Sequence, residues 1–313
     1  DLFSGCSSIS SFAWVFADCL NLTGAIPANL FRSNVNTRSF LGTFSNCYKL
    51  TSIPENLFKY NTNVGQIELA GYDIYNFSNT FHCCYSITSE IPIDLFRYNT
   101  KVNRGAFKLT FYGCVQLSGS IPQDLFKYNE LASDSAFYAT FQFCNTLTGS
   151  IPQDLFRYNI NVSGPGFWQM FTYCYNLSGN IPQDLFKYNI LVGNENEGDY
   201  DALNGAFRAM FHSCENLTGP IPQDLFSFNT NVNRNAFELT FFKCKNLTSI
   251  PTDLFRYNVN VGDRAFDSSF EFCESLSGSI PVDLFRYNTL VGDRGFYQTF
   301  TGCESLSAVP KNL

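Results

Sequence analysis

Apolar and polar positions along this chain recur in blocks about thirty residues apart. One block reads Phe, three residues, Phe, two residues, Cys; the next reads Leu, a few small polar residues, Ile-Pro, two residues and Leu-Phe, with an aromatic residue and Asn close behind. In the unit around Phe137, the residues Phe137, Phe141 and Cys144 fall at i, i+4 and i+7, which puts all three on one side of two helical turns. A helix that short does not persist alone in water, so stacked neighbours must hold it. Leu147-Thr148-Gly149-Ser150-Ile151 reads as a short strand that pairs in parallel with its equivalents above and below. Pro152 then presets a second helical start, Asp154 lies in its first turn, and Leu155-Phe156 supplies the next anchor.

This pattern predicts an α/β solenoid, leucine-rich-repeat-like, in which short parallel strands alternate with short helices at about thirty residues per coil. No coil of this kind buries its own core, so neighbours must stack. The Phe-x-x-Cys element runs from Phe3/Cys6 to Phe300/Cys303 and crosses any midpoint, so residues 1-313 are expected to form a single repeat solenoid. The chain opens inside a repeat at Asp1-Leu2-Phe3 and stops at Pro310-Lys311-Asn312-Leu313, and neither end resembles a polar cap. The expectation is a segment of a longer protein.

Asn recurs behind the Leu-Phe anchor at 34, 61, 99, 129, 159, 189, 229, 258 and 288. An inward column of amides would satisfy backbone groups left unpaired by the turning chain; the alternative is a surface turn residue. The repeated Phe read as core. Eleven of the twelve Cys fill the repeated slot and Cys83 is extra. They are read as buried reduced thiols, with some oxidised pairs as the alternative.

The pattern in Phe241-Phe242-Lys243-Cys244-Lys245-Asn246-Leu247-Thr248-Ser249-Ile250-Pro251, and again from Phe44 to Pro54, resembles the BspA-like leucine-rich repeats of bacterial and protist surface proteins. The resemblance covers essentially the whole chain, which departs from it in its Pro-x-Asp-Leu-Phe-(Lys/Arg)-Tyr-Asn extension. It implies an extracellular, cell-surface domain for adhesion, binding a protein or glycan on a host or neighbouring cell, with no enzymatic activity. The competing function is a structural subunit that self-associates into an extracellular filament or surface layer.

Charge narrows the partners. Twenty Lys and Arg against 27 acidic residues give a net charge of -7, with no basic tail, which disfavours nucleic acid. No run approaches the length of a membrane span, so no membrane insertion is expected within the segment. No catalytic, cofactor-binding or metal site is read. The two His, His82 and His212, fall at variable positions where exposure is expected; His82 beside Cys83 reads as a chance neighbour. One Cys per coil makes a line rather than a zinc site.

Recognition must come from what varies. Tyr138/Ala139, Trp168/Gln169, Arg208/Ala209 and Glu238/Leu239, with Tyr112, Phe143, Tyr173 and Phe242, read as a mixed aromatic and polar strip or else as packing between coils. Insertions at Gln66 to Ile74 and Asn194 to Asp201 emerge at equivalent places and mark a second candidate edge; the latter faintly resembles a calcium turn but lacks the closing Glu. Asn-x-Ser/Thr occurs at Asn21, Asn76, Asn161, Asn176, Asn216 and Asn246, a glycoprotein pattern if the source glycosylates such sites. Asp94/Arg97, Asp124/Lys127, Asp154/Arg157, Asp184/Lys187, Asp253/Arg256 and Asp283/Arg286 are spaced to pair along one face.

Overall fold

A computed structural model describes residues 2–66, 76–193 and 205–311. Its regular elements are short strands: β1 (Thr23–Ala25), β2 (Lys49–Ser52), β3 (Gly179–Asn180), β4 (Leu217–Pro220), β5 (Leu247–Ser249), β6 (Gly278–Ser279) and β7 (Leu306–Ala308). They pair in parallel as β1-β2, β3-β4-β5 and β6-β7. Isolated parallel bridges at Ser11–Ser39, Ser120–Thr148 and Gly164–Val192 add to the pairing between coils.

The short helices expected from the sequence are not there: among the described residues there is no α-helix. The α/β solenoid is corrected to an all-parallel β stack whose strands are joined by tandem turns. Residues 103–114 show why. The N–H groups of Ala106, Lys108, Thr110, Tyr112 and Cys114 each close a turn onto the carbonyl three residues back, while those of Gly105, Phe107, Leu109, Phe111 and Gly113 donate to Asp134, Ala136, Tyr138, Thr140 and Gln142 of the next coil. An α-helix would satisfy its N–H groups within itself; here every second one binds a neighbour. The ribbon needs a left-handed residue at every fourth position, supplied by Gly105, Leu109 and Gly113 at φ of 58°, 58° and 72°. Phe107 and Phe111 share that four-residue period and so point inward together. A non-glycine residue in this conformation costs about 1–2 kcal/mol, and the hydrogen bonds to the next coil offset it. A spacing of four between apolar anchors fits this ribbon as well as a helix, which is how the sequence misled.

Three Phe per coil fill the interior. Phe107, Phe111 and Phe126 are fully buried and head columns in which Phe107–Phe137, Phe111–Phe141 and Phe126–Phe156 stack nearly parallel at 5.7, 5.5 and 6.4 Å. Tilted contacts tie the columns together, as between Phe126 and Phe107 or Phe137, both at 4.7 Å. The buried apolar cluster extends from Phe12 to Leu284.

Each of these rings carries a carbonyl that uses both lone pairs. The first accepts the turn N–H three residues on; the second accepts a polar side chain from the next coil. Thus Thr110 Oγ1 donates to Phe77 O at 2.9 Å, Cys114 Sγ to Phe81 O at 3.1 Å, and Asn129 Nδ2 to Phe96 O at 3.1 Å. The Asn column is inward, as one reading of the sequence held: all nine amides are buried. Each also donates to the carbonyl of the residue before it in the column, as Asn159 does to Asn129 O at 2.9 Å. The amides serve carbonyls alone, and their nine Oδ1 atoms have no hydrogen-bond partner.

The cysteines are free, and those from Cys47 onward in the column donate S–H to a Phe carbonyl of the preceding coil, for example Cys144 to Phe111 O and Cys174 to Phe141 O at 3.1 and 3.0 Å. Burial pushes the thiols up, Cys47 to about 11, so they stay protonated and able to donate. Cys6 does not belong to this column. Asn34 Nδ2 bonds Phe3 O and Cys6 O as Asn61 bonds Phe31 O and Asn34 O, so Phe3–Cys6 occupies the Leu-Phe-x-x-Asn place with Cys standing for Asn. Native protein treated with a thiol reagent should lose Cys6 and Cys19 quickly and half-buried Cys303 more slowly, leaving the nine buried thiols until denaturant is added. Rapid reaction of more than three thiols, or disulfides in the mass spectrum, would contradict the column.

Candidate protein-interaction surface

Inward Asn fixes what its neighbours do. In Arg157-Tyr158-Asn159-Ile160 the amide points into the core, so Tyr158 and Ile160 on either side point out, exposed by 38% and 53%. The same holds at Tyr188 and Ile190 and at Tyr257 and Val259, all exposed. Between successive Tyr lies a cation. Lys127 Nζ is 5.7 Å from the ring of Tyr128 and 5.9 Å from that of Tyr158, Arg157 is 6.0 Å from Tyr158 and 5.4 Å from Tyr188, and Arg256 is 5.7 Å from Tyr257 and 5.3 Å from Tyr287. The ladder reaches from Arg32 over Tyr60 to Arg286 over Tyr287, with Ser227-Phe228 in place of a cation and Tyr in one coil.

All six expected acid–base pairs form on this face, from Arg286–Asp283 at 3.2 Å to Lys187–Asp184 and Arg256–Asp253 at 3.6 Å. They cross a turn rather than a helix. The carboxylates neutralise the cation column locally, so the face presents aromatic and aliphatic surface within a balanced charge pattern. Sequence reasoning placed the ion pairs but missed the Tyr and Ile beside them; the available signal was the alternation that follows once Asn is inward.

The aromatic strip expected from the variable positions is half-buried. One ring per coil remains in contact with the next: His82–Tyr112 at 4.7 Å, Tyr112–Phe143 at 5.4 Å, Phe143–Tyr173 at 4.7 Å, Tyr173–His212 at 4.8 Å, His212–Phe242 at 4.6 Å and Phe242–Phe272 at 5.8 Å. Ala139, Ala209 and Glu238 of the expected strip are buried. The rings spend much of their faces on one another, which is the packing alternative. Tyr138 lies 4.8 Å from Trp168, and Arg208 caps Trp168 at 5.3 Å. Arg208 also binds Glu238 at 3.1 Å, and the network continues through Arg264 to Asp267 and Arg294. Burial raises the Glu238 carboxyl against the opposing pull of Arg208 and Arg264.

His82 and His212, expected to be exposed, are half-buried in this ring contact. Burial lowers both, His212 to about 4. Cys83 lies 3.9 Å from His82 Nε2, but burial raises its thiol rather than activating it. Because folded His212 binds a proton less readily than unfolded His, its stabilising share is complete above about 6.5 and is lost as pH falls toward about 4. A His212→Gln variant should flatten that part of the stability–pH curve; an unchanged slope between those values would show that His212 does not titrate as its burial requires.

Asn76 is buried, with Nδ2 on Asn103 Oδ1 and Arg104 O at 3.1 and 3.0 Å, so it is enclosed and not an accessible glycan acceptor. The other five sequon asparagines are exposed. The insertions fall almost wholly outside the described residues, and the calcium reading falls there with them. Among the described residues no group of three or more His, Cys, Asp or Glu is placed to hold a metal ion, and no helix is long and apolar enough to cross a membrane.

No protein-family model matches the chain, and no curated protein matches it. Among solved structures it is similar to a TDR receptor (14% identity, 92% of this chain and 49% of that one, TM-score 0.27). A second likeness is to the leucine-rich-repeat ectodomain of the receptor kinase GASSHO1/SCHENGEN3 from Arabidopsis thaliana (12%, 87% and 42%, TM-score 0.24). A third is to a leucine rich cell surface protein from Faecalibacterium prausnitzii (16%, 83% and 86%, TM-score 0.18). The chain spans less than half the length of the two receptors. Membership in the BspA-like leucine-rich-repeat family is not shown.

Proposed function

We propose that residues 1-313 form one non-catalytic, extracellular repeat domain of a cell-surface protein of the BspA-like kind, and that it binds a protein partner along the Tyr ladder. The observation that carries the reading is the column of exposed and half-buried Tyr rings interleaved with Arg and Lys from Arg32 to Tyr287, with Val35, Ile160, Ile190 and Val259 exposed beside it. Tyr and Arg are the residue types that anchor protein interfaces, and exposed aromatic and aliphatic side chains gathered on one face mark a contact surface. A glycan is the weaker alternative, because sugars need open ring faces and the cations already lie over these rings. The surface proteins among the structural likenesses include receptor ectodomains, which supports an extracellular place for this chain.

Fluorescently labelled chain should bind cell surfaces in a protease-sensitive way. Replacing Tyr158, Tyr188 and Tyr257 together by alanine should weaken that binding by about tenfold or more, the usual effect of losing interface anchors, without lowering thermal stability. Binding abolished by glycosidase instead would move the assignment to a glycan. Absence of cell binding together with filaments under the microscope would replace it with the structural-subunit reading.

A further inference from the structure

The Tyr ladder has one missing rung. In the coil that carries Asp224-Leu225-Phe226-Ser227-Phe228-Asn229, Ser227 stands where Arg157, Lys187 and Arg256 stand in other coils, and Phe228 stands where they carry Tyr. Elsewhere the cation does two things. It pairs with the Asp three residues before it, and it lies between its own ring and the ring of the next coil, as Arg157 does with Asp154 at 3.3 Å and with Tyr158 and Tyr188 at 6.0 and 5.4 Å. Ser227 brings no charge to either place. Its hydroxyl donates to Asp224 Oδ1 at 3.3 Å, so the carboxylate charge is not balanced across this turn. Lys187 of the preceding coil lies over its own Tyr188 at 5.9 Å, and Arg256 of the following coil lies between Tyr257 and Tyr287. Among the described residues no cation lies over the Phe228 ring, and the residues outside them contain no Lys or Arg.

Exposure follows the same break. Tyr60, Tyr158, Tyr188 and Tyr287, each between two cations, are exposed by 39, 38, 37 and 37%, whereas Phe228 is 44% and Tyr257 49% exposed. The two rings that flank the missing cation are the most open of the ladder. Asp224 is itself exposed.

Asp224, Phe228 and Tyr257 therefore make a place for a cation that this chain does not supply. An acidic side chain would meet the Asp224 carboxylate, and an apolar one would cover that carboxylate without a partner, which is costly. A guanidinium can give its N–H fork to a carboxylate while its flat face lies on an aromatic ring. We propose that this break receives an arginine side chain of the partner protein, which completes the ladder from outside. The rungs paired through Asp94, Asp124, Asp154, Asp184, Asp253 and Asp283 are neutral and alike, so they favour no one register of a partner along the stack. The single unbalanced gap does, because charge complementarity fixes register as well as attraction. This inference rests on the reading of the ladder as the binding face.

The probe is Nα-acetylarginine amide, a single arginine side chain with no other charge, titrated into the full chain isotopically labelled in its tyrosine rings. A saturable shift of the Tyr257 ring resonance, identified by its loss in Tyr257→Phe, is the expected result, larger than the shifts at Tyr158 and Tyr188, whose flanks are taken. The uncharged citrulline analogue should produce none. Ser227→Arg restores the kind of side chain that the other coils carry, so it keeps the fold, and it should abolish the shift. No saturable shift at Tyr257, an equal shift at every tyrosine, or a shift that citrulline reproduces overturns the proposal. Cell binding then separates it from the reading it rests on. Ser227→Arg should weaken binding of the labelled chain by about tenfold, as loss of an interface anchor does, and Ser227→Gln should leave it unchanged. Binding lost in Tyr158→Ala with Tyr188→Ala but kept in Ser227→Arg leaves the ladder as the interface and overturns the arginine site. Binding kept in both overturns the ladder reading and this inference with it.

Discussion

Asn159→Asp should be among the most damaging single changes in this protein at neutral pH, with an expected loss of about 3–5 kcal/mol, the figure for an uncompensated buried charge. Asn159 is fully buried and gives both amide hydrogens to carbonyls, Phe126 O at 3.0 Å and Asn129 O at 2.9 Å. A carboxylate there would face those oxygens with no hydrogen to offer. Its neutral form would regain one donor, so the folded-state pKa of the new Asp would be raised above the unfolded value. Stability is then restored in acid and lost as pH rises through that raised pKa. Asn159→Ala should cost less, about 1–3 kcal/mol, because each carbonyl keeps its turn N–H, from Asn129 and Ala132, and because an unpartnered Oδ1 disappears with the side chain. Its cost should not vary with pH. Denaturant titrations of the two variants at neutral and acidic pH check both statements; an Asp variant as stable as the Ala variant at neutral pH would mean the column is open to water.

The inward Asn column was legible because its place is kept while its neighbours change, as where Tyr becomes Phe228. The parallel stacking and the Phe interior were legible for the same reason. The turns were not. Phe137, Phe141 and Cys144 satisfy a helical period and a four-residue ribbon equally, and the deciding bonds, such as Ala139 N–H to Trp168 O at 2.8 Å, belong to two coils at once. A single-unit reading has no access to them. Cys as a donor was hidden by its usual role as a small apolar residue; what reveals it is the matching Thr one step earlier, since Thr110 and Cys114 cap the carbonyls of Phe77 and Phe81 in the same way. The exposed Tyr face was recoverable by alternation about Asn159. The burial of His82 and His212 was not, because it depends on which rings the adjacent coils supply.

Phe137→Ala should cost about 3–5 kcal/mol, the range for truncating a buried aromatic ring. Phe137 has no exposed surface and touches four rings, Phe107, Phe126, Phe156 and Phe167, at 5.7, 4.7, 5.0 and 5.8 Å. Two of these lie in its own column and two in the neighbouring one, so the cavity opens between coils rather than within one. Phe228→Ala supplies the contrast: the same residue type on the outer face, 44% exposed, should change stability by only about 0.5 kcal/mol. Coupling distinguishes a stack from a globular core. Because each coil leans on its neighbours alone, Phe137→Ala combined with Phe167→Ala, whose rings stack at 5.8 Å, should cost measurably less than the two single losses added, whereas pairing Phe137→Ala with distant Phe255→Ala should be additive. Unfolding followed by circular dichroism and by intrinsic fluorescence gives the values for the three single and two double variants. Additivity in the close pair, or strong coupling in the distant one, would show that the rings do not transmit stability from coil to coil as the stacked columns require.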